Sequence, residues 1–390
     1  MTPVELSRTV LRAVRRAVDG GELAVAVPER VLVDVPGPGG CGDYATTIAL
    51  QLARPAGMPP RRVAEVLRPY LADARGVAGV EITGPGFLNI SLDAGLRGTA
   101  SAALVEEILR QGPRYGFAPR PLGQTTASAP TGQAGTPTPT PRPIHLRAPH
   151  DLRALVVTDV IARLLRSQGA LVRTGCVARP EPEWVDVLGV GVDAYGTVDD
   201  PAPLDVDVRP VPAAEARDVL ALGRDAGRWA LLCSAPHDRP HVTAELLVQR
   251  ESNPLFRVRY AHARTRAALR NASDLGFTPE PGDVENVEDG HPAQAARPVH
   301  PAPVEHALLV LLGEHPRVLA RAAGRRAPDR LVRQLVAVAD VTLPVLSSVL
   351  PLGGEKPSAA HRARLALAEA AGAVLAGGLA LLGIDAPECL

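Results

Sequence analysis

The chain has 390 residues, with 42 basic and 42 acidic side chains and therefore a formal net charge of zero. This length is too great for a single hydrophobic core, so two or three domains are expected. Almost all the basic residues are arginine, and Lys356 is the only lysine. Codon bias in a GC-rich genome produces the same excess, so arginine content alone is no evidence for a nucleic-acid partner.

The four cysteines are far apart in sequence and include no CxxC pair, which predicts neither a zinc site nor a disulfide framework. Free thiols fit a reducing cytosol, so a cytoplasmic location is expected. The N-terminus has no apolar signal region. The longest apolar stretch, "AGAVLAGGLALLGI", is shorter than the roughly 20 residues that span a bilayer, so no membrane partner is predicted.

The N-terminal region, 1–118, is predicted to be a small domain of helices and strands. Apolar residues at helical spacing predict a helix over 4–18, with arginines on its other side. "VLVDV" predicts a strand, and two helices follow, the first ending at Gly57. Asp43 and Tyr44 are expected to cap the first of these helices. "GVEITGPGFLNISLD" predicts two strands joined by a Gly-Pro-Gly turn.

The next two segments differ sharply in composition. Residues 119–143 form a Pro/Thr/Gly tract without core-forming residues, which predicts a flexible linker. Within residues 144–251, "DLRALVVTDVIARLLRSQGALVRTG" predicts a helix that ends near Gly169 and leads into a strand. "EWVDVLGVGV" suggests another strand, and "AAEARDVLALGRDAGRWALLCSA" a helix. This pattern is typical of an α/β layer.

The remainder, 252–390, is predicted to be an all-α bundle. Helices are expected over 253–275, 303–323, 328–349 and 358–382, with Gly383 as the last C-cap. The Pro-rich, acidic loop at 278–304 is predicted to be disordered. The fold class is therefore α+β and multidomain, with a small α/β domain first and a helical bundle last.

The first bundle helix carries an unusual density of positive charge. At 100° per residue, Arg259, His262, Arg266 and Arg270 fall within about 80° of one another. Guanidinium groups in such a row can fork onto the phosphate oxygens of an RNA backbone. A solvated face in an arginine-rich protein is the alternative. Tyr260 on the same helix either stacks on an unpaired base or packs under the bundle.

Both ends of the chain resemble the arginyl-tRNA synthetase family. "SNPLFRVRYAHAR" and "ARLALAEAAGAVLAGGLALLGIDAPE" are similar to the start and end of that family's C-terminal anticodon-binding (DALR) domain. "GDYATTIALQLARPAGMPPRRVAEVL" and "GPGFLNISL" are similar to its additional N-terminal domain. The resemblance implies a tRNA partner, with the bundle on the anticodon arm and the N-terminal domain on the elbow. Phe87 and Asn89 would lie near the elbow, although a core position is the favoured interpretation for Phe87.

The middle region is similar to the family's nucleotide-binding α/β domain only in fragments, with matching residues at Arg153, Asp159, Asp225, Ala226 and Arg228. The place of the HxGH signature is occupied by Ala148, Pro149, His150 and Asp151, and no KMSKS-like lysine is present. Adenylate formation depends on such positioned cationic and hydrogen-bonding groups. The resemblance therefore implies a truncated catalytic remnant with no catalytic residue and no cofactor, unless His145 or His150 is a substitute.

Two other features bear on function. "ADVTLPVLSSVL" places Leu343 and Pro344 where the family carries an aromatic pair facing RNA, so anticodon reading would be altered or lost. "PHDRPH" offers two histidines and Asp238 as possible metal ligands. The loop contains two prolines and lacks a further well-placed ligand, so no metal site is predicted.

Three hypotheses follow. The favoured one is a tRNA-binding protein without aminoacylation activity, whose ligand could be arginine tRNA. A working arginine-tRNA ligase with a minimal core is the second. The third is a protein-interaction module of the translation or tRNA-using machinery that has lost RNA binding. No DNA partner is expected from any of them.

Overall fold

The structure, a computed structural model, describes residues 3–34, 36, 40–118, 143–196, 205–213, 215–284 and 304–390. The predicted linker at 119–143 lies outside these residues except for residue 143, and of the predicted disordered loop at 278–304 only 278–284 and 304 are described.

The helices and strands of the described residues follow the chain in this order. The helices are α1 (Pro3–Asp19), α2 (Ile48–Ala56), α3 (Pro60–Ala72), α4 (Ala94–Gln111), α5 (Leu152–Ser167), α6 (Pro182–Leu188), α7 (Ala216–Ala221), α8 (Gly223–Leu232), α9 (Pro254–Asp274), α10 (Val304–Arg325), α11 (Pro328–Val345) and α12 (Ala359–Leu382). The strands are β1 (Val33–Asp34), β2 (Tyr44–Thr46), β3 (Val77–Thr83), β4 (Phe87–Leu92), β5 (Ile144–Ala148), β6 (Val172–Cys176), β7 (Ala194–Tyr195) and β8 (Asp205–Asp207).

The chain packs as two compact units, each built from separate stretches of sequence. Unit 1 comprises Met1–Glu106, Pro279–Gly313 and Pro351–Leu367, and unit 2 comprises Glu107–Thr278, Glu314–Leu350 and Ala368–Leu390. Because long helices such as α10 and α12 contribute to both units, these units do not coincide with the four segments predicted from composition. The segment boundaries therefore stay a prediction.

Unit 1 contains an antiparallel sheet in the order β1-β2-β4-β3. Helices α1, α2 and α3 cover it, and the core consists of fully buried aliphatic side chains from the helices and from β4, including Leu6, Val10, Val14, Ile48, Val63, Leu67, Leu88 and Ile90. The predicted turn between β3 and β4 is confirmed. Gly86 in this turn has a φ of 140°, and a Cβ there would lie 2.8 Å from the Pro60 carbonyl carbon, so only glycine fits.

Unit 2 contains a parallel sheet in the order β7-β6-β5-β8. Helix α5 follows β5 directly and packs on β6, as expected for a strand-helix-strand unit. Asp151 caps α5, because its side chain accepts a hydrogen bond from the Ala154 amide at 2.8 Å. Helices α9 and α11 pack together in the same unit, in agreement with the predicted bundle.

Four local predictions are wrong. The first part of "EWVDVLGVGV", residues 183–188, lies in helix α6 rather than in a strand, and 189–192 are irregular. Pro182 begins the helix and Gly189 ends it with a φ of 61°. The predicted helix over "AAEARDVLALGRDAGRWALLCSA" is two helices, divided at Gly223 with a φ of 72°. Tyr44 belongs to β2, and the Asp43 carboxylate accepts from the Leu92 amide at 2.6 Å, so neither residue caps α2.

The fourth concerns membrane-spanning length. Two helical stretches, Pro328–Ser348 and Ala359–Leu382, are long and apolar enough to cross a bilayer by length and composition alone. In the second, 78% of the most apolar window is buried inside the protein, as in a core helix. Burial, rather than insufficient length, is therefore what distinguishes α12 from a membrane span.

Pro344 lies in the last turn of α11, which continues only to Val345.

Candidate functional site

Helix α9 begins at a tightly bonded asparagine. The Asn253 side chain accepts hydrogen bonds from the Leu255 and Phe256 amides at 3.0 and 3.4 Å. Its amide nitrogen donates to the carbonyls of Leu246 and Val248 at 2.8 and 2.9 Å. Proline at the first helical position then fits, since no amide hydrogen is needed there. These bonds fix the direction in which the basic helix leaves the preceding loop.

The predicted basic stripe of α9 lies against other parts of unit 2. Arg259 forms an ion pair with Asp225 at 3.4 Å, with only 26% of its side chain exposed. His262 is 5% exposed, and its Nδ1 donates to the Pro387 carbonyl at 2.9 Å. Burial lowers the pKa of His262, so the ring is uncharged at neutral pH.

The C-terminal segment, 385–390, lies along the rest of the stripe. Arg266 pairs with the Glu388 carboxylate at 3.1 Å. Arg270 is exposed and makes only long contacts, 3.4 Å to the Glu388 carbonyl and 3.6 Å to the Cys389 sulfur. The Asp385 amide donates to Asp225 at 3.2 Å, which joins this segment to the partner of Arg259.

The stripe is therefore continuous, as the helical spacing predicts, but most of its charge is already matched within the protein. Two of its arginines face a carboxylate, and its histidine is neutral and buried. Among the four, Arg270 is the member with the most freely exposed charge. An RNA-binding role for these residues stays a prediction.

Tyr260 lies beside Phe256, with ring centroids 5.3 Å apart and planes inclined by 16°. The Arg264 guanidinium lies 5.8 Å from the centroid of the tyrosine ring, and its Nη1 donates to the phenol oxygen at 3.4 Å. Tyr260 is only partly buried. It is therefore part of a surface stack of two rings and a guanidinium, rather than the bundle core.

The two residues predicted to approach a tRNA elbow differ in exposure. Phe87, at the start of β4, is 37% exposed and accessible to a ligand. Asn89 is 2% exposed, and its amide nitrogen donates to the Thr83 hydroxyl at 2.8 Å and the Glu81 carbonyl at 3.4 Å. These contacts hold β4 to β3, so in this structure Asn89 has no free edge with which to read a base.

The place of the missing HxGH signature is the carboxyl end of β5. Ala148 is buried there, and Pro149 leads into the loop before α5. His150 donates from Nε2 to the Arg179 carbonyl at 3.0 Å and lies 4.9 Å from the Trp184 ring. Ligands of open parallel sheets bind at this edge. Here its loop residues bond to one another, and Asp151 is occupied as the cap of α5.

Two buried arginines hold unit 2 together beneath these surfaces. The Arg153 guanidinium is fully buried and donates to five backbone carbonyls, those of Val211, Leu231, Ser234, Ala235 and Asp238. Arg228 is fully buried as well, bonded to the Asp159 carboxylate at 2.5 Å and to the carbonyls of Leu188 and Leu382. Burial lowers the pKa of both guanidinium groups. The sequence signal for these roles is a charged residue inside an apolar helical face.

A cleft of about 340 Å³ lies beside Arg259. Its charged lining consists of two arginines and two aspartates, namely Arg224, Arg259, Asp225 and Asp385. Both arginines are engaged, Arg259 with Asp225 and Arg224 with the Gly383 carbonyl at 3.3 Å. Its size suits a small ligand. Its balanced charge differs from the cationic cradle that a triphosphate requires.

No group of three or more His, Cys, Asp or Glu side chains suited to a metal ion is found in the part of the chain that the structure describes. His237 and Asp238 lie 3.9 Å apart on an exposed loop. All four cysteines are free thiols.

Two family profiles match the chain. The profile of the arginyl tRNA synthetase N terminal domain matches residues 5–92, and that of the DALR anticodon binding domain matches residues 258–390.

Curated relatives match over the full length of both chains. The arginine--tRNA ligase of Frankia alni is 28% identical over an alignment of 565 positions that covers 100% of each protein. The arginine--tRNA ligase of Renibacterium salmoninarum is 29% identical over 579 positions, again covering 100% of each. Since this chain has only 390 residues, both alignments leave a large part of the relative without a counterpart here.

Solved structures show the same fold. Thermus thermophilus arginyl-tRNA synthetase superposes with a TM-score of 0.62 at 15% identity, covering 100% of both chains. Plasmodium falciparum arginyl-tRNA synthetase gives a TM-score of 0.64 at 8% identity, covering 100% of this chain and 99% of that one.

Proposed function

This chain belongs to the arginyl-tRNA synthetase family, and from that premise we propose that it binds tRNA without attaching an amino acid to it. The two family profiles it matches are an N-terminal domain and an anticodon-binding domain. Arginine tRNA is the first ligand to test. Because two weak contacts on one chain act together through effective concentration, both regions would contribute to holding one tRNA.

The observation that carries the proposal is the composition of the carboxyl end of β5. Ala148, Pro149, His150 and Asp151 occupy the place where the family resemblance puts HxGH. His150 bonds to the Arg179 carbonyl, and Asp151 caps α5. Asp151 is thus used by the fold, and His150 is a single, exposed imidazole where the signature has two histidines. The extra negative charge of a pentacovalent phosphate needs several positioned donors, worth several kcal/mol.

The size of the central region supports the same proposal. The two family profiles leave only 93–257 between them, and the described parallel sheet there has four strands, two of which have two or three residues. The single lysine, Lys356, lies outside this region. The cleft beside Arg259 has as many acids as bases, which disfavours a triphosphate.

An active arginine-tRNA ligase with a minimal core is the second candidate. It is favoured by the full-length relatives, which are named arginine--tRNA ligase. In this reading His145 or His150 would replace a signature histidine. The third candidate, a protein-interaction module, gains support from the internal pairing of the α9 stripe, since Asp225 and Glu388 already neutralise two of its arginines.

Exchange of pyrophosphate into ATP, dependent on arginine and tRNA, separates the first two candidates. We expect no exchange above the protein-free background, because loss of positioned phosphate ligands costs many powers of ten in rate. Exchange abolished by His150→Ala would establish the ligase instead. A gel shift with total tRNA across a salt series tests binding itself, since affinity for phosphate falls steeply with salt.

The contribution of α9 is tested with two exposed arginines of one helix. Arg270→Glu alters the most exposed member of the stripe, whereas Arg264→Glu changes the same charge on another side of the helix, where it contacts Tyr260. We expect Arg270→Glu to weaken tRNA binding several-fold more than Arg264→Glu. Equal effects would indicate general charge repulsion rather than a binding face.

The free thiols of all four cysteines support a cytosolic location for this function. Fractionation of the native cell, followed by sequencing of RNA crosslinked to the protein, tests the location and the identity of the tRNA together.

A further inference from the structure

Helix α1 has one face in the core of unit 1 and a second face covered with arginine. On the core side, Leu6, Val10, Ala13, Val14 and Ala17 are at most 2% exposed. On the outer side, four arginines are exposed, namely Arg8, Arg12, Arg15 and Arg16, and we call these the α1 arginine face. At 100° per residue the first three fall within about 60° of one another, and all four within about 100°.

Three of these arginines have no acidic partner among the residues that the structure describes. Arg12 donates only to the Thr9 hydroxyl at 3.0 Å. Within the described parts of the chain, Arg8, Arg12 and Arg15 take part in no ion pair. Arg16 contacts Asp73 at 3.3 Å, but both side chains are more than half exposed, so water screens this pair. The face therefore keeps its positive charge.

The contrast with α9 makes this face informative. On α9, Arg259 and Arg266 each face a carboxylate and His262 is neutral. On α1, Arg8, Arg12 and Arg15 are exposed and take part in no ion pair among the described residues, and Arg16 has only an exposed pair with Asp73. Since a polyanion gains most from charges that are not already neutralised, the α1 arginine face is the better electrostatic site for one.

The guanidinium groups and their spacing along the α1 arginine face suit the phosphates of a nucleic-acid backbone. Arg8 and Arg15 are separated by seven residues, or about 10 Å of helix, so the face can contact more than one phosphate. Guanidinium groups fork onto two phosphate oxygens. A lipid surface fits less well, because amphipathic helices bind membranes through an apolar face, and that of α1 is buried in the core.

We propose that the α1 arginine face binds the phosphate backbone of a base-paired RNA arm. The contact is independent of base sequence, because the arginines meet phosphate rather than base edges. The two acids of the helix, Glu5 and Asp19, lie at the two ends of this face and reduce its net charge without separating the arginines. This inference rests on the proposed tRNA binding and adds a surface to it, since no residue of α1 was among the contacts predicted from the sequence.

The test uses full-length protein and total tRNA, with affinity measured by fluorescence anisotropy over a salt series. The variant is Arg8→Gln/Arg12→Gln/Arg15→Gln. A control, Arg61→Gln/Arg62→Gln, removes two exposed arginines of the same unit that are already paired with Glu65. A charge-conserving variant, Arg8→Lys/Arg12→Lys/Arg15→Lys, tests whether any loss reflects charge rather than folding.

We expect the glutamine variant to lose at least about tenfold in affinity at low salt, and the slope of log K against log salt to become shallower by about two to three. The control should stay within about twofold of wild type, and the lysine variant should retain most of the binding. Wild-type binding with an unchanged glutamine variant overturns the inference but leaves tRNA binding intact. No binding by the wild type at low salt overturns both.

Phosphatidylserine vesicles and a base-paired RNA hairpin identify the source of the phosphate. Binding of wild type to the hairpin, with loss in the glutamine variant, supports the proposal. Binding to vesicles with the same dependence on these arginines, and none to the hairpin, overturns it in favour of a membrane contact.

Discussion

Removing the Asp159 carboxylate should destabilise unit 2 more than any change at its surface. Asp159 is 13% exposed and bonds to Arg228, which is completely buried. Arg228 also donates to the carbonyls of Leu382 and Leu188 at 2.7 and 2.8 Å. In Asp159→Ala these two carbonyls remain, but the buried positive charge has no opposite charge beside it.

The magnitude follows from the difference between burying a pair and burying one ion. Burial alone already lowers the pKa of Arg228, and the Asp159 charge opposes that effect. Arg163 and Arg224 act in the same direction as burial, since both are positive. Breaking a buried pair from one side costs about 3–5 kcal/mol, because the remaining ion is left desolvated. We expect Asp159→Ala to lose stability in this range.

Urea denaturation followed by tryptophan fluorescence measures this loss in the relevant unit. The two tryptophans of the chain, Trp184 and Trp229, both belong to unit 2, and Trp229 is next to Arg228. Arg163→Ala is the control. It removes the other partner of Asp159, but that side chain is 35% exposed, so we expect a loss below about 1 kcal/mol. Asp159→Leu/Arg228→Met should be more stable than Asp159→Ala, because no unpaired charge remains.

Equal and small losses of unfolding free energy in Asp159→Ala and Arg163→Ala would contradict a buried Asp159–Arg228 pair as the cause of the effect. That result would mean that water or another carboxylate reaches Arg228 when Asp159 is removed. It would also mean that the pair is not the reason for the buried position of this arginine.

Two further predictions concern stability. Burial lowers the pKa of His315 to about 4, below its ordinary 6.5. As pH falls, the unfolded chain therefore binds a proton at this histidine before the folded chain does. About 3 kcal/mol of stability should be lost progressively between roughly pH 6.5 and 4. The free energy of unfolding, measured at a series of pH values, should show this loss in wild type and not in His315→Gln, which keeps a polar partner for Gln334. If the free energies of the two proteins fall in parallel with pH, His315 is not the cause. Gly383 has a φ of 71°, and a Cβ there would lie 2.5 Å from the Arg228 guanidinium carbon, so Gly383→Ala should lower the melting temperature by an amount equivalent to more than about 1 kcal/mol. Gly324→Ala, in a helical position with nothing within 4 Å, is the control and should be neutral or stabilising.

Helix positions were the most predictable part of this fold. Alanine-rich sequence with leucine at helical spacing predicts α9 to α12 closely, and proline or glycine marks several of their ends. Short strands were less predictable. β5 has five residues and β7 two, too few to establish a period of two. "EWVDVLGVGV" is the opposite case, a strand predicted where a helix forms. Its valines favour a strand, but Pro182 and Gly189 delimit one short helix.

The sequence predicts which residues of the candidate site share one helix face, but not which parts of the chain pack against that face. Helical geometry places Arg259, His262, Arg266 and Arg270 on one face, and they do lie together. What the sequence could not show is that the segment from Asp385 onward folds back along this face, since the contact joins residues more than a hundred positions apart. Asn89 is similar. An asparagine in a strand is a candidate for base contact until its partners across the sheet are known.

Positive charge in this protein therefore has to be judged by its partner rather than by its density. Arg153 and Arg228 are buried and bind backbone carbonyls, and Arg259 and Arg266 bind carboxylates. In each case the charge is used within the fold, and releasing it for RNA would require breaking a contact whose loss leaves an ion unpaired. Arg8, Arg12 and Arg15 require no such exchange. If tRNA binds here, the electrostatic part of its affinity should depend on α1 more than on the helix that the family resemblance first indicates.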